Sequence, residues 1–165
     1  MTLPLWYKGF LSGGDGMKNY EINSKTLAIL PFGKHKTIVY EDHDCFILET
    51  KTPKIMDNSC RFYGSSMQGR QQGTATLTGL TYKVPIIISE ENNIIFFPTS
   101  SPRLKDCAWI SLNNVNRYFA KDNQILIEFM NKETLELPIS YNILNNQILK
   151  ASKLESSIRK RIHHN

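Results

Sequence analysis

Residues 125–139, I-L-I-E-F-M-N-K-E-T-L-E-L-P-I, indicate the fold more directly than any other stretch of the chain. Two largely apolar runs, 125–130 and 133–139, flank the dipeptide Asn131-Lys132. Strand-like runs separated by two turn-forming residues are typical of a β-hairpin. The stretch therefore predicts two neighbouring antiparallel strands.

Shorter runs of the same kind occur along most of the chain. Strands are predicted over residues 26–30, 37–40, 45–48, 74–81, 86–89, 94–97 and 107–112. Turn-forming Gly, Pro and Asn residues separate these runs, and Pro31 is expected to end the first of them. Many short strands punctuated in this way favour an antiparallel β-rich domain.

Two segments have helical spacing instead. A short helix is predicted near residues 57–72, with Asp57 as its N-cap. A C-terminal helix is predicted near residues 140–163, where Ser140 is the N-cap and apolar residues recur at intervals of three and four. The expected fold class is α+β, a mainly antiparallel β domain with these two helices.

The length of 165 residues predicts one domain with a real core. Residues 1–16 differ from the rest, because Ser12-Gly-Gly-Asp-Gly16 is a flexible linker directly before Met17. We expect residues 1–16 to be a disordered or non-native leader, with translation starting at Met17, and residues 17–165 to form a single domain. No apolar run approaches the ~20 residues of a membrane span, and no signal peptide is visible, so the expected location is cytoplasmic.

Three isolated cysteines, Cys45, Cys60 and Cys107, are expected to be free thiols in a reducing compartment. A metal shared with His43 is the less favoured alternative, because no paired C-x-x-C spacing is present. No nucleophile–base pair or carboxylate pair is evident, so catalysis ranks lowest among the functions considered. No metal or cofactor is predicted.

The net charge of +5 is concentrated in two zones. Residues 51–73 carry four basic side chains and one acidic one, and residues 150–165 carry five and one. Such concentration favours an anionic partner. For the second zone, a solvated or dipole-compensating end of the C-terminal helix is a serious alternative.

The first basic zone contains residues 56–73, M-D-N-S-C-R-F-Y-G-S-S-M-Q-G-R-Q-Q-G. It combines guanidinium groups, amides and hydroxyls with glycines that let the backbone approach a partner closely. These groups suit a phosphate backbone or a nucleic-acid groove and are poor material for a hydrophobic core.

Several segments together resemble the ComK family of competence transcription factors from Gram-positive bacteria. The resemblance is carried, in the order and spacing of the family over roughly residues 20–150, by S-C-R-F-Y-G-S-S (59–66), G-R (69–70), G-T (73–74), K-V-P-I (83–86), I-F-F-P-T (95–99), C-A-W-I-S (107–111), L-E-L-P-I-S-Y-N (135–142) and Gln147. The resemblance implies a sequence-selective transcription activator of DNA-uptake genes. It implies binding of double-stranded DNA at paired A/T-rich boxes, mainly through the minor groove, as a homo-oligomer that assists RNA polymerase in the nucleoid.

Candidates for DNA contact follow from the resemblance and from side-chain chemistry. Groove contacts are expected from Arg61, Arg70 and either Gln71 or Gln72. Phosphate contacts are expected from Lys54, Ser65, Ser66 and Lys83, with Arg103 and Lys105 also available.

Each assignment has a structural alternative. Arg61 is equally suited to an ion pair with Asp57, four residues earlier. One of Ser65 and Ser66 is expected to bond the local backbone. Plain solvation suits Arg103 and Lys105 equally well.

Two other functions stay open. A small β-barrel module could bind an anionic ligand or nucleotide, with Arg70 and its glycines as a phosphate nest. A truncated relative could fold without activating transcription. Longer members of the family continue beyond the terminal helix with an adaptor-binding segment for proteolysis, so adaptor and protease recognition are doubtful here.

Overall fold

The strands form two antiparallel sheets. The computed structural model describes residues 20–163, and the expected leader at 1–16 lies outside them. In chain order the elements are β1 (Thr26–Phe32), β2 (Lys36–Glu41), β3 (Asp44–Leu48), α1 (Thr52–Phe62), α2 (Met67–Thr78), β4 (Ile86–Ser89), β5 (Ile94–Pro98), β6 (Trp109–Ser111), β7 (Val115–Lys121), β8 (Gln124–Phe129), β9 (Thr134–Leu137) and α3 (Tyr141–His163). The expected α+β class is confirmed.

The larger sheet has the order β3-β2-β1-β6-β5-β4, and the smaller one has the order β7-β8-β9. The predicted hairpin is confirmed as β8 and β9, with Ile127 opposite Leu135. Within residues 20–163 neither sheet closes on itself, because β3 and β4 remain edges of the larger one. The β-barrel architecture that we considered as an alternative is therefore wrong.

Both faces of the larger sheet are covered, which explains its continuous apolar strands. One face, including Ile29 and Trp109, packs against Ile55, Met56 and Cys60 of α1. The opposite face packs against the smaller sheet and the buried stripe of α3. The six-stranded sheet is thus a central layer between α1 and the layer made by α3 and the smaller sheet.

Helix α3 is fastened to the larger sheet by a buried amide. The side chain of Gln147 donates hydrogen bonds to the carbonyls of Lys83 and Pro98, at 2.9 and 2.8 Å. The helix begins as predicted, since the Ser140 hydroxyl accepts from the Ile143 amide at 3.2 Å. These contacts fix the chain between α2 and β4 against α3.

Two strand predictions need correction. Residues 74–81 are not a strand, because α2 extends to Thr78 and the Thr74 hydroxyl bonds the carbonyls of Arg70 and Pro85. Here tertiary contacts override the β propensity of threonine. Pro31 does not end β1, which continues to Phe32 with Pro31 opposite Thr37.

The single helix predicted near residues 57–72 is two helices. Helix α1 begins at Thr52, with Pro53 in its first turn, where the missing amide proton costs nothing. Asp57 therefore lies inside α1 rather than at its N-cap. The helix is interrupted at residues 63–66 and α2 begins after them, so the basic segment 56–73 is divided between two helices.

Candidate nucleic-acid interface

Helices α1 and α2 are joined by a tight connection, residues 63–66, which we call the elbow. Gly64 has φ +90°, a backbone conformation that a side chain disfavours. The Ser66 hydroxyl caps α2 by accepting from the Gly69 amide at 3.0 Å. Ser66 is therefore the serine with the expected local role, whereas the Ser65 hydroxyl makes only a long 3.5 Å contact with the Ser66 carbonyl.

Asp57 ties the two helices together. One carboxylate oxygen accepts from the Met67 amide at 2.9 Å, and the other accepts from Arg61 Nε at 2.7 Å. The Arg61 bond, followed by the Met67 bond, holds the pKa of Asp57 below its ordinary value. The ion-pair alternative for Arg61 is thus present in the structure, although 64% of the Arg61 side chain remains exposed.

Arg70 turns back toward the elbow. Its Nη2 atom donates to the Tyr63 carbonyl at 3.4 Å, and its Nε atom is buried without a hydrogen-bond partner. Its positive charge reaches Cys60, where burial is the dominant influence and raises the thiol pKa to about 11. In this conformation the guanidinium contacts the end of α1.

The outer face of α2 is polar and carries no acid. Gln68, Gln72 and Thr76 are exposed at successive four-residue intervals, with Gly73 exposed beside them. Among the described residues, the side-chain amides of Gln68, Gln71 and Gln72 make no hydrogen bond. Sequence reasoning selects Gln71 and Gln72 but misses Gln68, which the four-residue spacing reveals only once α2 is known to begin at Met67.

A basic cluster lies beyond the other end of α2. The ammonium groups of Lys83 and Lys150 lie 5.3 and 5.6 Å from the centroid of the exposed Tyr82 ring. Partial burial, then the charge of Lys83, lowers the pKa of Lys150. Lys83, predicted to contact phosphate, therefore lies beside a second cation, Lys150, that the sequence did not single out.

Arg103 and Lys105 line a second feature, which we call the basic cleft. It is a concavity of about 340 Å³, and its charged or titratable lining residues are Lys34, His35, Lys36, Lys51, Arg103 and Lys105. Met67, the first residue of α2, also lines it, so the cleft borders the elbow. Lys54 is exposed on the first turn of α1, shortly after Lys51. The sequence did not reveal this cleft because its cations come from three separate segments.

The basic end of α3 is partly neutralised. Arg159 pairs with Glu155 at 3.4 Å, and Arg161 pairs with Glu90 at 2.7 Å. Ion pairs thus occupy two of the five cations of this zone, and Lys160 and Arg161 lie in the last turn of α3, where cations suit the helix dipole. The unpaired cations near α1 and α2 therefore indicate an anionic partner more strongly than the basic end of α3 does.

The three cysteines are free and buried, as expected. Among residues 20–163, no group of three or more His, Cys, Asp or Glu side chains could hold a metal ion. No helix in the described part of the chain is long and apolar enough to cross a membrane.

Comparison with known proteins adds an independent finding. A family model described as ComK protein matches residues 17–163. The competence transcription factor of Bacillus subtilis (strain 168) is 38% identical over 152 residues, which cover 90% of this chain and 79% of that protein. No solved structure matches the chain.

Proposed function

Since the chain belongs to the ComK family, we propose that it is a competence transcription factor that binds double-stranded DNA. The proposed targets are A/T-rich boxes, approached from the minor groove by the outer face of α2. The relative from Bacillus subtilis is itself described as a competence transcription factor. The observation that carries the proposal is the set of unbonded glutamine amides on an acid-free helix face.

The charge pattern around α2 supports contact with DNA. No Asp or Glu occurs between Asp57 and Glu90, a segment that contains both the elbow and α2. A carboxylate on this face would repel the phosphates, so its absence removes one obstacle to binding. Cations lie near both ends of the helix, at the basic cleft and at the Tyr82 cluster.

The chemistry of α2 suits the A/T minor groove. A·T and T·A pairs present only acceptors there, and the groove is about 6 Å wide. Glutamine amides supply the matching donors, and Gly73 leaves the backbone of α2 uncovered beside them. The 12 residues of α2 span about 18 Å, comparable to the rise of about five base pairs.

Arg61 and Arg70 enter the proposal in different ways. The exposed guanidinium of Arg61 has donors to spare for a phosphate beside its bond to Asp57. Arg70 must leave the Tyr63 carbonyl before it reaches a groove. Its unpartnered Nε atom makes such an exchange less costly, because that atom gives up no hydrogen bond.

Paired boxes would bring at least two copies of the protein to one DNA site. We propose that these copies act together with RNA polymerase to activate transcription. A reporter gene behind a two-box promoter separates binding from activation, because a protein that occupies the boxes without raising expression is a relic of an activator.

The direct test is fluorescence anisotropy with an A/T-box duplex and a G/C-rich duplex of equal length. The double variant Gln68→Ala, Gln72→Ala should lose roughly 10-fold or more of its affinity for the A/T-box duplex and much of its preference over the other. Gln124→Ala changes an exposed glutamine on β8 and should bind like the wild type. A minor-groove drug should displace the protein, whereas methylation in the major groove should not.

Two results would contradict this proposal. Equal affinity of the double variant and the wild type would remove the α2 face from the interface. Sensitivity to major-groove methylation, with indifference to the minor-groove drug, would place the protein in the other groove.

A further inference from the structure

We propose that the basic cleft is a phosphate site that holds one strand of the DNA backbone beside the α2 contact. This inference rests on the proposed function and extends the interface to residues that the sequence motif does not contain. The new contacts are Lys34 and Lys51, with Lys36 in support, and they join Arg103 and Lys105, which the sequence had already suggested for phosphate.

The cleft stands out because most of its positive charge has no matching acid. Its lining includes five Lys or Arg residues and no Asp or Glu. Of the five, Lys36 forms an ion pair, with Glu49 at 3.8 Å. Within the described residues the other four have no ion pair. Clefts lined by one sign of charge concentrate the electrostatic potential and attract counter-charges.

The cations lie at the rim, which favours a strand over a small nucleotide. Lys34, Lys51, Arg103 and Lys105 are all exposed, whereas Cys107 and Trp109 are buried in the wall. A nucleotide site normally provides a few placed polar groups that orient the base. Of the buried lining groups, the Thr52 hydroxyl is already bonded to Thr37, at 3.0 Å, and the Cys107 thiol to the Ser100 carbonyl, at 3.5 Å.

The position of the cleft connects it to α2. Met67 is both the first residue of α2 and part of the cleft wall. A protein element in the minor groove has a phosphate strand on each side of it, because the two backbones form the walls of the groove. A strand that leaves the α2 contact at the elbow would therefore reach the basic cleft directly.

The test compares two triple variants of identical composition. The cleft variant carries Lys34→Gln, Lys51→Gln and Arg103→Gln. The control carries Lys121→Gln, Lys132→Gln and Arg117→Gln, which lie in or beside the smaller sheet, on the opposite side of the central layer. Both variants lose three positive charges, so a general charge effect on DNA binding is the same for each.

We expect the cleft variant to bind A/T-box and G/C-rich duplexes more weakly by the same factor, roughly 10-fold or more at 0.15 M salt. The slope of log affinity against log salt should become shallower by about 0.9 for each phosphate that the variant no longer neutralises, hence by up to about 2.7. The control should keep a slope close to that of the wild type. A cooperative urea transition for each variant would confirm that both remain folded; the control should have the lower midpoint, because it removes both ion-pair partners of the nearly buried Glu128.

Each opposing result has a distinct meaning. If the cleft variant keeps the salt slope of the control, the cleft does not hold the DNA strand and the inference is wrong. Calorimetric binding of ATP or pyrophosphate that depends on the cleft, with unchanged DNA affinity, would overturn it in favour of a small ligand. Absence of DNA binding by the wild-type protein would instead refute the proposed function.

Discussion

Substitution of Gly73 should affect stability and DNA binding in opposite directions, because nothing inside the protein requires a glycine at this position. It lies in the interior of α2, it is exposed, and a Cβ atom added there would meet nothing within 4 Å. Alanine is more favourable than glycine in a helix by about 0.8–1.0 kcal/mol. Gly73→Ala should therefore stabilise the free protein by about that amount, which corresponds to a rise in Tm of about 2–4 °C.

The same substitution should weaken DNA binding. If the face that bears Gln72 and Gly73 enters a narrow groove, an added methyl group occupies space that the groove floor or wall requires. We expect affinity for the A/T-box duplex to fall roughly 10-fold, about 1.4 kcal/mol. If Gly73 serves close approach to DNA, the variant should therefore be more stable than the wild type and bind DNA more weakly.

Thermal unfolding and anisotropy on the same preparations provide the measurement. Ser156→Ala is the matched control, because it exchanges an exposed residue of α3 for a better helix former at a distance from α2. It should raise stability by a few tenths of a kcal/mol and leave affinity unchanged. Increased stability with unchanged affinity for Gly73→Ala would refute close approach at this position.

Three further predictions concern the groups that hold the interface in place. Gln147→Leu leaves one buried and one partly buried carbonyl without their donor, so the free energy of unfolding should fall by about 2–4 kcal/mol; a urea-measured decrease below about 1 kcal/mol would contradict this. Asp57→Ala should cost about 1–2 kcal/mol at neutral pH, because the hydrogen bonds to Met67 and Arg61 disappear. Folding lowers the pKa of Asp57, so its contribution to stability is present above the ordinary pKa of 3.8 and is lost as pH falls through the folded pKa. The free energies of unfolding of wild type and variant, measured with urea, should therefore converge in acid. A difference that stays constant with pH would contradict this. Arg61→Gln removes an exposed ion pair and should cost only about 0.3–0.5 kcal/mol of stability; a much larger loss of DNA affinity, measured by anisotropy, would show that Arg61 contacts the duplex, and no loss would limit it to the ion pair.

The sequence predicted most of the sheet because its strands have local signals. The hairpin β8–β9 and the buried strands β4 and β5 occur close to where apolar runs and turn residues place them. Strand β7 was missed because it is largely exposed and its sequence, V-N-R-Y-F-A-K, lacks a regular alternation. Its pairing with β8 is what makes it a strand.

The helices show where local reasoning fails for the candidate site. Gly64 and Gly69 make residues 57–72 look like one weak helix, whereas Gly64 lies in the elbow that separates two helices. The prediction that Asp57 is the N-cap of this helix is wrong, because Asp57 lies inside α1, although its carboxylate accepts from the amide of the first residue of α2. That contact spans ten residues and depends on the elbow, which no periodicity reveals.

The smaller sheet and the α1 and α2 side of the molecule differ in how many of their cations form ion pairs. In the smaller sheet, cations are matched by acids, as in Arg117 with Glu128 at 2.7 Å and Lys121 with Glu136 at 2.7 Å. On the α1 and α2 side, the cleft cations other than Lys36 have no such partner among the described residues. The formal net charge of +5 is unevenly distributed, because the cations of the smaller sheet are paired whereas four of the five cleft cations have no ion pair among the described residues. Under the proposed function, the cations at the cleft rim orient an approaching polyanion toward the α2 face before any base is contacted.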